Sequence, residues 1–258
     1  MSYQPAIEIL RGGVVESNHD AAVAVVESDG NIFASWGSPE TKTFMRSSAK
    51  PFQILPLLEA GGADHFGFSP REIAIMCASH SGMDEHVNTV AKIQEKIGLS
   101  EENLLCGTHP PFHLETANRL HKEGLEPTVN RHNCSGKHSG MLAFAKLQGT
   151  MLDDYVSVKH PIQARIVITL SEMCGLDVDE ISIGVDGCSV PTFALPLKFA
   201  ATAFARLADP GEFLEKRAEA CRTVWNAMTA HPDMVAGPGR FDTALMQFCL
   251  LYTSDAAD

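Results

Sequence analysis

The apolar pattern of this chain changes period near residue 47. Before that point, short β-branched and apolar runs are separated by turn sequences such as Ser28-Asp29-Gly30-Asn31, which predicts a meander of strands. After it, apolar residues recur at helical spacing, and Glu180–Val185 has the pattern of a buried strand. Strands followed by many helices and a late strand predict an α/β (α+β) fold, a mixed sheet with a helical subdomain.

Helix boundaries are indicated by local chemistry. Ser69-Pro70-Arg71-Glu72 combines a capping serine, proline at the first helical position and an early carboxylate, so a helix is expected to begin there. Val87, Val90, Ile93 and Ile97 form one apolar stripe. The predicted later helices span residues 84–97, 141–147, 161–173, 200–207, 213–228 and 244–252.

Composition narrows the class of function. With 258 residues and 45% apolar residues, the chain has enough material for one large soluble domain. A net charge of -12 argues against binding to nucleic acid or to an anionic membrane, since both need a basic surface. Small-molecule chemistry is therefore expected. The N-terminal sequence lacks the pattern of a signal peptide and no stretch has the length of a membrane span, which predicts a cytoplasmic protein.

Ser47 and Lys50 form a Ser-x-x-Lys motif where a polar loop enters an apolar stretch. In the first turn of a helix this spacing places the hydroxyl and the amine on one face. A lysine that is partly buried near a second cation, here Arg46, can lose its proton near neutral pH and then activate the serine. The motif predicts an acyl-transfer centre. The alternative is an N-capping serine followed by a solvated lysine.

Seven dispersed cysteines, an odd number, argue against a disulfide framework. Cys134 and Cys188 stand in polar, Gly-rich surroundings, unlike typical buried cysteines. If the fold brings them together, two thiolates with His138 or His132 could bind zinc. The alternative is a tight loop and helix cap with Cys134 packed inward.

The segment Cys77–His86 follows an apolar run and is rich in small polar residues. It could present a hydroxyl to a cleft, or it could cap the next helix through Ser81 or Asp84. His80 and His86 are candidate ligands, although a lone loop histidine is more often a hydrogen-bonded residue.

Six sequence blocks, taken in order, resemble the rhizobial-type (class 3) L-asparaginases, the asparaginase II family. The resemblance covers about residues 5–248. The blocks are Arg46-Ser47-Ser48-Ala49-Lys50-Pro51-Phe52-Gln53, Cys77-Ala78-Ser79-His80-Ser81-Gly82, Cys106-Gly107-Thr108-His109-Pro110-Pro111, Asn133-Cys134-Ser135-Gly136-Lys137-His138-Ser139-Gly140-Met141, Gly184-Val185-Asp186-Gly187-Cys188 and Val235-Ala236-Gly237-Pro238-Gly239-Arg240.

This resemblance implies a fold similar to serine β-lactamases and glutaminases, a homodimer, and hydrolysis of L-asparagine to L-aspartate and ammonia. Ser47 and Lys50 then correspond to one Ser-Lys pair and Ser79 to the serine of a second. The implied zinc ligands are Cys134, Lys137 and Cys188. The implied substrate-binding residues are Arg46, Asp186 and His138. Asp186 would hold the α-ammonium of the substrate.

The C-terminal segment departs from the family pattern. The lysine that pairs with the second serine, and the closing strands of the sheet, lie beyond the matched blocks, and the sequence from about Cys249 to Asp258 does not resemble the family. The expectation is a single asparaginase-like domain over residues 1–258 that is truncated and lacks these strands. The rival predictions are another Ser-Lys amidase, such as a glutaminase or penicillin-recognising hydrolase, and a non-catalytic zinc-binding fragment.

Overall fold

The computed structural model describes residues 2–255, with side chains for residues 2–248. Its strands are β1 Gln4–Arg11, β2 Val14–Ala21, β3 Val23–Val26, β4 Ile32–Trp36, β5 Lys42–Phe44, β6 Ser182–Val185 and β7 Pro191–Pro196. They pair in three separate antiparallel sheets: β1 with β2, β3 with β4, and a three-stranded sheet in the order β5-β7-β6.

Helices make up most of the remaining structure. They are α1 Lys50–Glu59, α2 Gly62–Phe66, α3 Pro70–Met76, α4 Asp84–Lys96, α5 Leu114–Glu123, α6 Ser135–Leu147, α7 Pro161–Cys174, α8 Leu197–Ala208, α9 Glu215–Ala230, α10 Pro232–Val235 and α11 Phe241–Asp255. The chain is therefore a mixed helix-and-strand protein, as the sequence predicts. The described strands differ from the expected single mixed sheet, because each pairs only with antiparallel neighbours.

Local sequence signals locate several elements well. The turn at residues 28–31 separates β3 from β4, and α3 begins after Ser69 with a complete capping box that includes Glu72. α4 covers the predicted stripe. The expected capping of α4 by Ser81 or Asp84 is wrong, since Met83 occupies the N-cap position and its backbone N–H is bound by His86 Nδ1.

The predicted strand at 180–185 exists as β6, but it is not buried. Val185 is 80% exposed and Ile183 is 43% exposed, because β6 is an edge strand of its sheet. The apolar side chains of β1–β4, including Phe33 and Ile7, are also largely exposed. These strands therefore present an uncovered apolar surface among the described residues, and β3 also contacts α8.

The core is built around α1 and α6, whose side chains are buried along nearly their whole length. α6 can lie deep because it carries small residues where other helices cross it. A Cβ atom on Gly136 would overlap the carbonyl of Ile75 in α3, and one on Gly140 would overlap the Ile54 side chain in α1. This close packing fixes the N-terminal half of α6 against the middle of α1 and the C-terminal end of α3.

The sequence of residues 249–258 was predicted to differ from the family pattern. The side chains of these residues lie outside the described part of the structure. Among residues 2–255, no helix combines the length and apolar character needed to cross a membrane.

Candidate active site

Four parts of the chain that are distant in sequence meet at one place: the turn before α1, the segment after α3, the N-terminus of α6 and the loop after β6. The turn before α1 is a 3-10 helix, Arg46–Ala49. Arg46 and Ser189 adopt positive φ angles of 51° and 72°, which non-glycine residues rarely do. Such conformations persist where surrounding structure enforces them, often at functional sites.

The two candidate serines are adjacent. Ser47 Oγ donates a hydrogen bond of 3.3 Å to Ser79 Oγ, and Ser79 Oγ also accepts one of 2.8 Å from Asn133 Nδ2. The Ser79 backbone N–H is held by the Val235 carbonyl at 3.1 Å. Ser79 is thus fixed from three sides, with its oxygen beside that of Ser47.

Lys50 is buried, with only 2% of its surface exposed. Its Nζ donates to the Ala78 carbonyl at 2.6 Å and to the Asn133 carbonyl at 3.2 Å. Within the described hydrogen bonds it reaches neither serine hydroxyl, so the direct Ser47–Lys50 contact suggested by the motif is absent from this structure. Burial lowers the pKa of Lys50, with a further contribution from Lys137, while Cys134 opposes the change. The solvated lysine of the alternative interpretation is excluded by this burial.

The candidate metal ligands also come together. Lys137 Nζ lies 3.0 Å from Cys188 Sγ. The hydrogen bond from the Cys188 thiol, opposed by burial and aided by Lys137 and Lys50, lowers the pKa of Cys134 to about 5. The same hydrogen bond and burial raise the pKa of Cys188. In the part of the chain that is described, no group of three or more His, Cys, Asp or Glu side chains forms a metal-binding cluster.

His138 does not face the site. It is fully buried, and its Nδ1 lies 2.6 Å from the Tyr155 hydroxyl. Burial lowers its pKa to about 4, although a contact with Cys188 acts in the opposite direction. His138 does not line the cavity, since it is buried behind Cys188, and its contact with a substrate stays a prediction.

Arg46 and Asp186 form an ion pair, with Arg46 Nη2 2.9 Å from Asp186 Oδ1. The Arg46 side chain is 64% exposed and that of Asp186 is 14% exposed. Two groups that the sequence assigns to substrate binding are therefore adjacent and have opposite charges.

These groups border a cavity of about 390 Å³. A larger cavity of about 650 Å³ lies elsewhere, between α1, α7 and α9, and contains none of the candidate site residues. Ser47, Cys134, Cys188, Arg46 and Asp186 line the smaller one, whereas Ser79 lies one hydrogen bond behind Ser47. The cavity is lined by Arg46, Ser47, Cys106, Gly107, Thr108, His109, Phe112, His132, Asn133, Cys134, Asp186, Gly187 and Cys188.

Three further residues line the cavity: Asn133, His109 and His132. The sequence suggested a role for only one of them, His132, as a possible metal ligand. Asn133 touches Ser79 through its side chain and Lys50 through its carbonyl. Its position beside Cys134 in a polar block was the available signal.

His80 and His86 have structural roles. His80 is buried and its Nε2 lies 3.0 Å from Ser135 Oγ, while Gly82 N–H donates to its Nδ1. His86 Nε2 lies 2.9 Å from the Asp233 carbonyl oxygen. Both rings hold the segment after α3 in place, so hydrogen bonding, and not metal binding, explains them.

Comparison with known families agrees with the geometry. The family model for L-asparaginase II matches residues 7–250. The chain belongs to the L-asparaginase II family. It is thus an asparaginase-type hydrolase that acts on an amide. A search of curated proteins gave no significant match.

Proposed function

We propose that this L-asparaginase II family member hydrolyses L-asparagine to L-aspartate and ammonia by acyl transfer through Ser47. The observation that carries the proposal is the placement of Ser47 Oγ on the cavity wall, 3.3 Å from Ser79 Oγ. Ser47 is open to a substrate, and Ser79 lies on its protein side. This supports Ser47 as the nucleophile and Ser79 as the proton relay.

In the acylation step, Ser47 Oγ forms a bond to the side-chain amide carbon while its proton passes to Ser79 Oγ. Ser79 gives its own proton to Lys50 once the lysine side chain, which makes no described hydrogen bond to either serine, turns toward Ser79 Oγ, and Lys50 then protonates the departing ammonia. A neutral amine has two N–H groups. The carbonyls of Ala78 and Asn133 can accept both, and burial favours this neutral form, whereas Cys134 is a further hydrogen-bond partner that favours the charged amine. Water then hydrolyses the β-aspartyl ester by the reverse proton path.

The Arg46–Asp186 ion pair supports an amino-acid substrate. Asparagine carries an α-carboxylate and an α-ammonium, a pair of charges complementary to a guanidinium and a carboxylate that are 2.9 Å apart. On binding, the Arg46–Asp186 ion pair would be replaced by two ion pairs with the substrate, so neither side chain would be left without an opposite charge. Asp186 then binds the ammonium and Arg46 binds the carboxylate.

The donor set at Cys134, Lys137 and Cys188 fits zinc. Two sulfur atoms that line the cavity and one buried amine lie together, and His138 is buried behind them in contact with Cys188. Thiolate and neutral amine are the forms that bind metal, so the lowered pKa of Cys134 favours binding, whereas Cys188, whose pKa is raised, would release its proton when zinc binds. Bound zinc would serve to position the substrate, since two thiolates reduce its Lewis acidity.

The Cys188→Ser variant is expected to lose most of its zinc, because it removes one of three donors. The measurement is metal content by inductively coupled plasma mass spectrometry after purification in zinc-containing buffer. Cys221→Ser is the matched control, since Cys221 is also buried but lies in α9, away from the cavity. Equal zinc in Cys188→Ser and the parent chain would refute the ligand assignment.

Ammonia release from L-asparagine and from L-glutamine, measured side by side, tests the proposed function. A higher kcat/KM for asparagine is the expected result. Preference for glutamine, or hydrolysis of a β-lactam in a separate absorbance assay, would identify another Ser-Lys amidase, and bound zinc without turnover would identify a non-catalytic protein. A homodimer, tested by mass in solution, and a cytoplasmic location stay predictions.

A further inference from the structure

Asn133 is the residue at which the candidate serines, the buried lysine and the candidate metal ligands meet. Its Nδ2 donates to Ser79 Oγ at 2.8 Å, and its carbonyl accepts from Lys50 Nζ at 3.2 Å. The next residue is Cys134, and Asn133 itself lines the cavity. No other side chain in the described structure donates to Ser79 Oγ apart from that of Ser47.

The hydrogen bonds of Ser79 define a direction for its proton. A hydroxyl group donates one hydrogen bond and accepts two. Ser47 Oγ and Asn133 Nδ2 together occupy both acceptor positions of Ser79 Oγ. Because an amide NH₂ group cannot accept a hydrogen bond, the Ser79 proton must point away from Asn133, and it also points away from Ser47.

His109 holds Asn133 from the side opposite Ser79. Its Nε2 lies 3.1 Å from Asn133 Oδ1 and 3.2 Å from the Asn133 backbone nitrogen. The ring is itself fixed by stacking on Phe112, with centroids 4.8 Å apart, and by its Nδ1 lying 2.6 Å from the Pro110 carbonyl oxygen. Since the Pro110 carbonyl can only accept, Nδ1 is the donor of the ring and Nε2 of the neutral ring accepts from the Asn133 backbone N–H. This bond, and not one to Oδ1, holds Asn133 in place, and the amide nitrogen faces Ser79 through its own 2.8 Å hydrogen bond.

We propose that Asn133 is a positioning residue whose side-chain N–H sets the direction of proton transfer from Ser47 to Ser79. As the O–H bond of Ser47 breaks, a new O–H bond forms at Ser79 and the original Ser79 proton passes to the Lys50 amine, so Ser79 ends unchanged and Lys50 ends protonated. The Asn133 N–H stabilises the Ser79 oxygen during this exchange. The inference rests on the proposed function, in which Ser47 is the nucleophile.

Two substitutions separate this role from a structural one. Asn133→Asp keeps the shape but presents an acceptor to Ser79, which would draw the Ser79 proton toward itself and oppose the relay. Asn133→Ala removes the hydrogen-bond donor to Ser79 and puts no acceptor in its place. We expect kcat to fall about 10-fold in Asn133→Ala, as for loss of one hydrogen bond, and about 10²-fold or more in Asn133→Asp, with KM within a few-fold of the parent value. A merely structural role predicts the opposite order, because Ala leaves a cavity and Asp fills it.

Asn226→Asp is the control for the charge change, because Asn226 is exposed on α9. It should behave as the parent does. Thermal unfolding shows whether each variant folds. If Asn133→Asp does not fold, Asn133→Leu replaces it, since leucine fills the space and neither donates nor accepts. A kcat equal to that of the parent in Asn133→Leu would then overturn the inference.

Labelling by a fluorophosphonate, located by peptide mass spectrometry, gives a readout that does not depend on asparagine. The expected order of labelling rates at Ser47 is parent, then Asn133→Ala, then Asn133→Asp. Equal rates, or faster labelling of Asn133→Asp than of Asn133→Ala, would overturn the role of Asn133. Labelled parent protein without asparagine hydrolysis would refute the proposed substrate alone, and the order of rates would still decide the inference. A parent that is not labelled at Ser47 refutes both.

Discussion

Replacing Ser47 with alanine is expected to lower kcat for asparagine hydrolysis on the order of 10⁴-fold or more, because it removes the oxygen that forms the ester. KM should stay within a few-fold of the parent value, since the charges of the substrate are held by Arg46 and Asp186, which form an ion pair at the cavity. Continuous measurement of ammonia release gives both constants.

Ser48→Ala is the matched control, because Ser48 lies in the same 3-10 turn. Its Oγ donates to the Met45 carbonyl at 2.6 Å, so it faces its own backbone and not Ser79. This variant should retain nearly full activity. Ser79→Ala should lose about 10²- to 10⁴-fold in kcat, as expected for loss of a proton-transfer group. If Ser47→Ala is as active as the parent and Ser79→Ala is inactive, the nucleophile is Ser79.

Elements whose cause lies in a few neighbouring residues could be predicted from the sequence. The capping box at Ser69 and Glu72 requires only four consecutive residues, and the structure contains both of its reciprocal hydrogen bonds. The α4 stripe likewise follows from helical spacing alone. Such signals depend on local geometry, and tertiary packing did not override them.

β7 shows why other elements were missed. Pro191 and Pro196 begin and end this buried strand, and proline argues against a central strand because it cannot donate to the ladder. Both prolines lie at strand ends, opposite Val185 and Lys42, where that loss is tolerated. The burial of β6 was misjudged for a related reason, because exposure depends on which strands cover an edge, and the sequence of one strand does not contain that information.

At the candidate active site, the sequence predicted which residues lie at the cavity better than it predicted which atoms they contact. Ser47, Cys134 and Cys188 do meet at one cavity. The spacing of Ser47 and Lys50 suggested a direct pair, but Lys50 instead reaches carbonyls 28 and 83 residues away in sequence. Long-range backbone acceptors leave no local pattern. The role of Asn133 was missed for the same reason, since a side-chain amide gains its function only from what it touches.

Replacing Lys50 with arginine is expected to lower kcat by about 10²- to 10⁴-fold although the positive charge is kept. The proposed relay needs a neutral amine that can take the proton of Ser79, and a guanidinium does not lose its proton in proteins. Lys50→Met, which removes charge and base together, should be similarly impaired. If the charge alone mattered, the arginine variant would be active and the methionine variant would not.

Lys146→Arg separates the loss of a base from the general effect of a larger side chain. Lys146 also donates its Nζ proton to a backbone carbonyl, that of Ile97, but at the far end of α6 from the cavity. It should remain active, and thermal unfolding of both arginine variants shows whether each retains its fold. Since burial lowers the pKa of Lys50 below its usual 10.5, kcat/KM of the parent should rise with pH through that lowered pKa as the amine becomes neutral. A folded Lys50→Arg variant with activity within a few-fold of the parent would show that Lys50 acts by charge, and the proton would then need another acceptor.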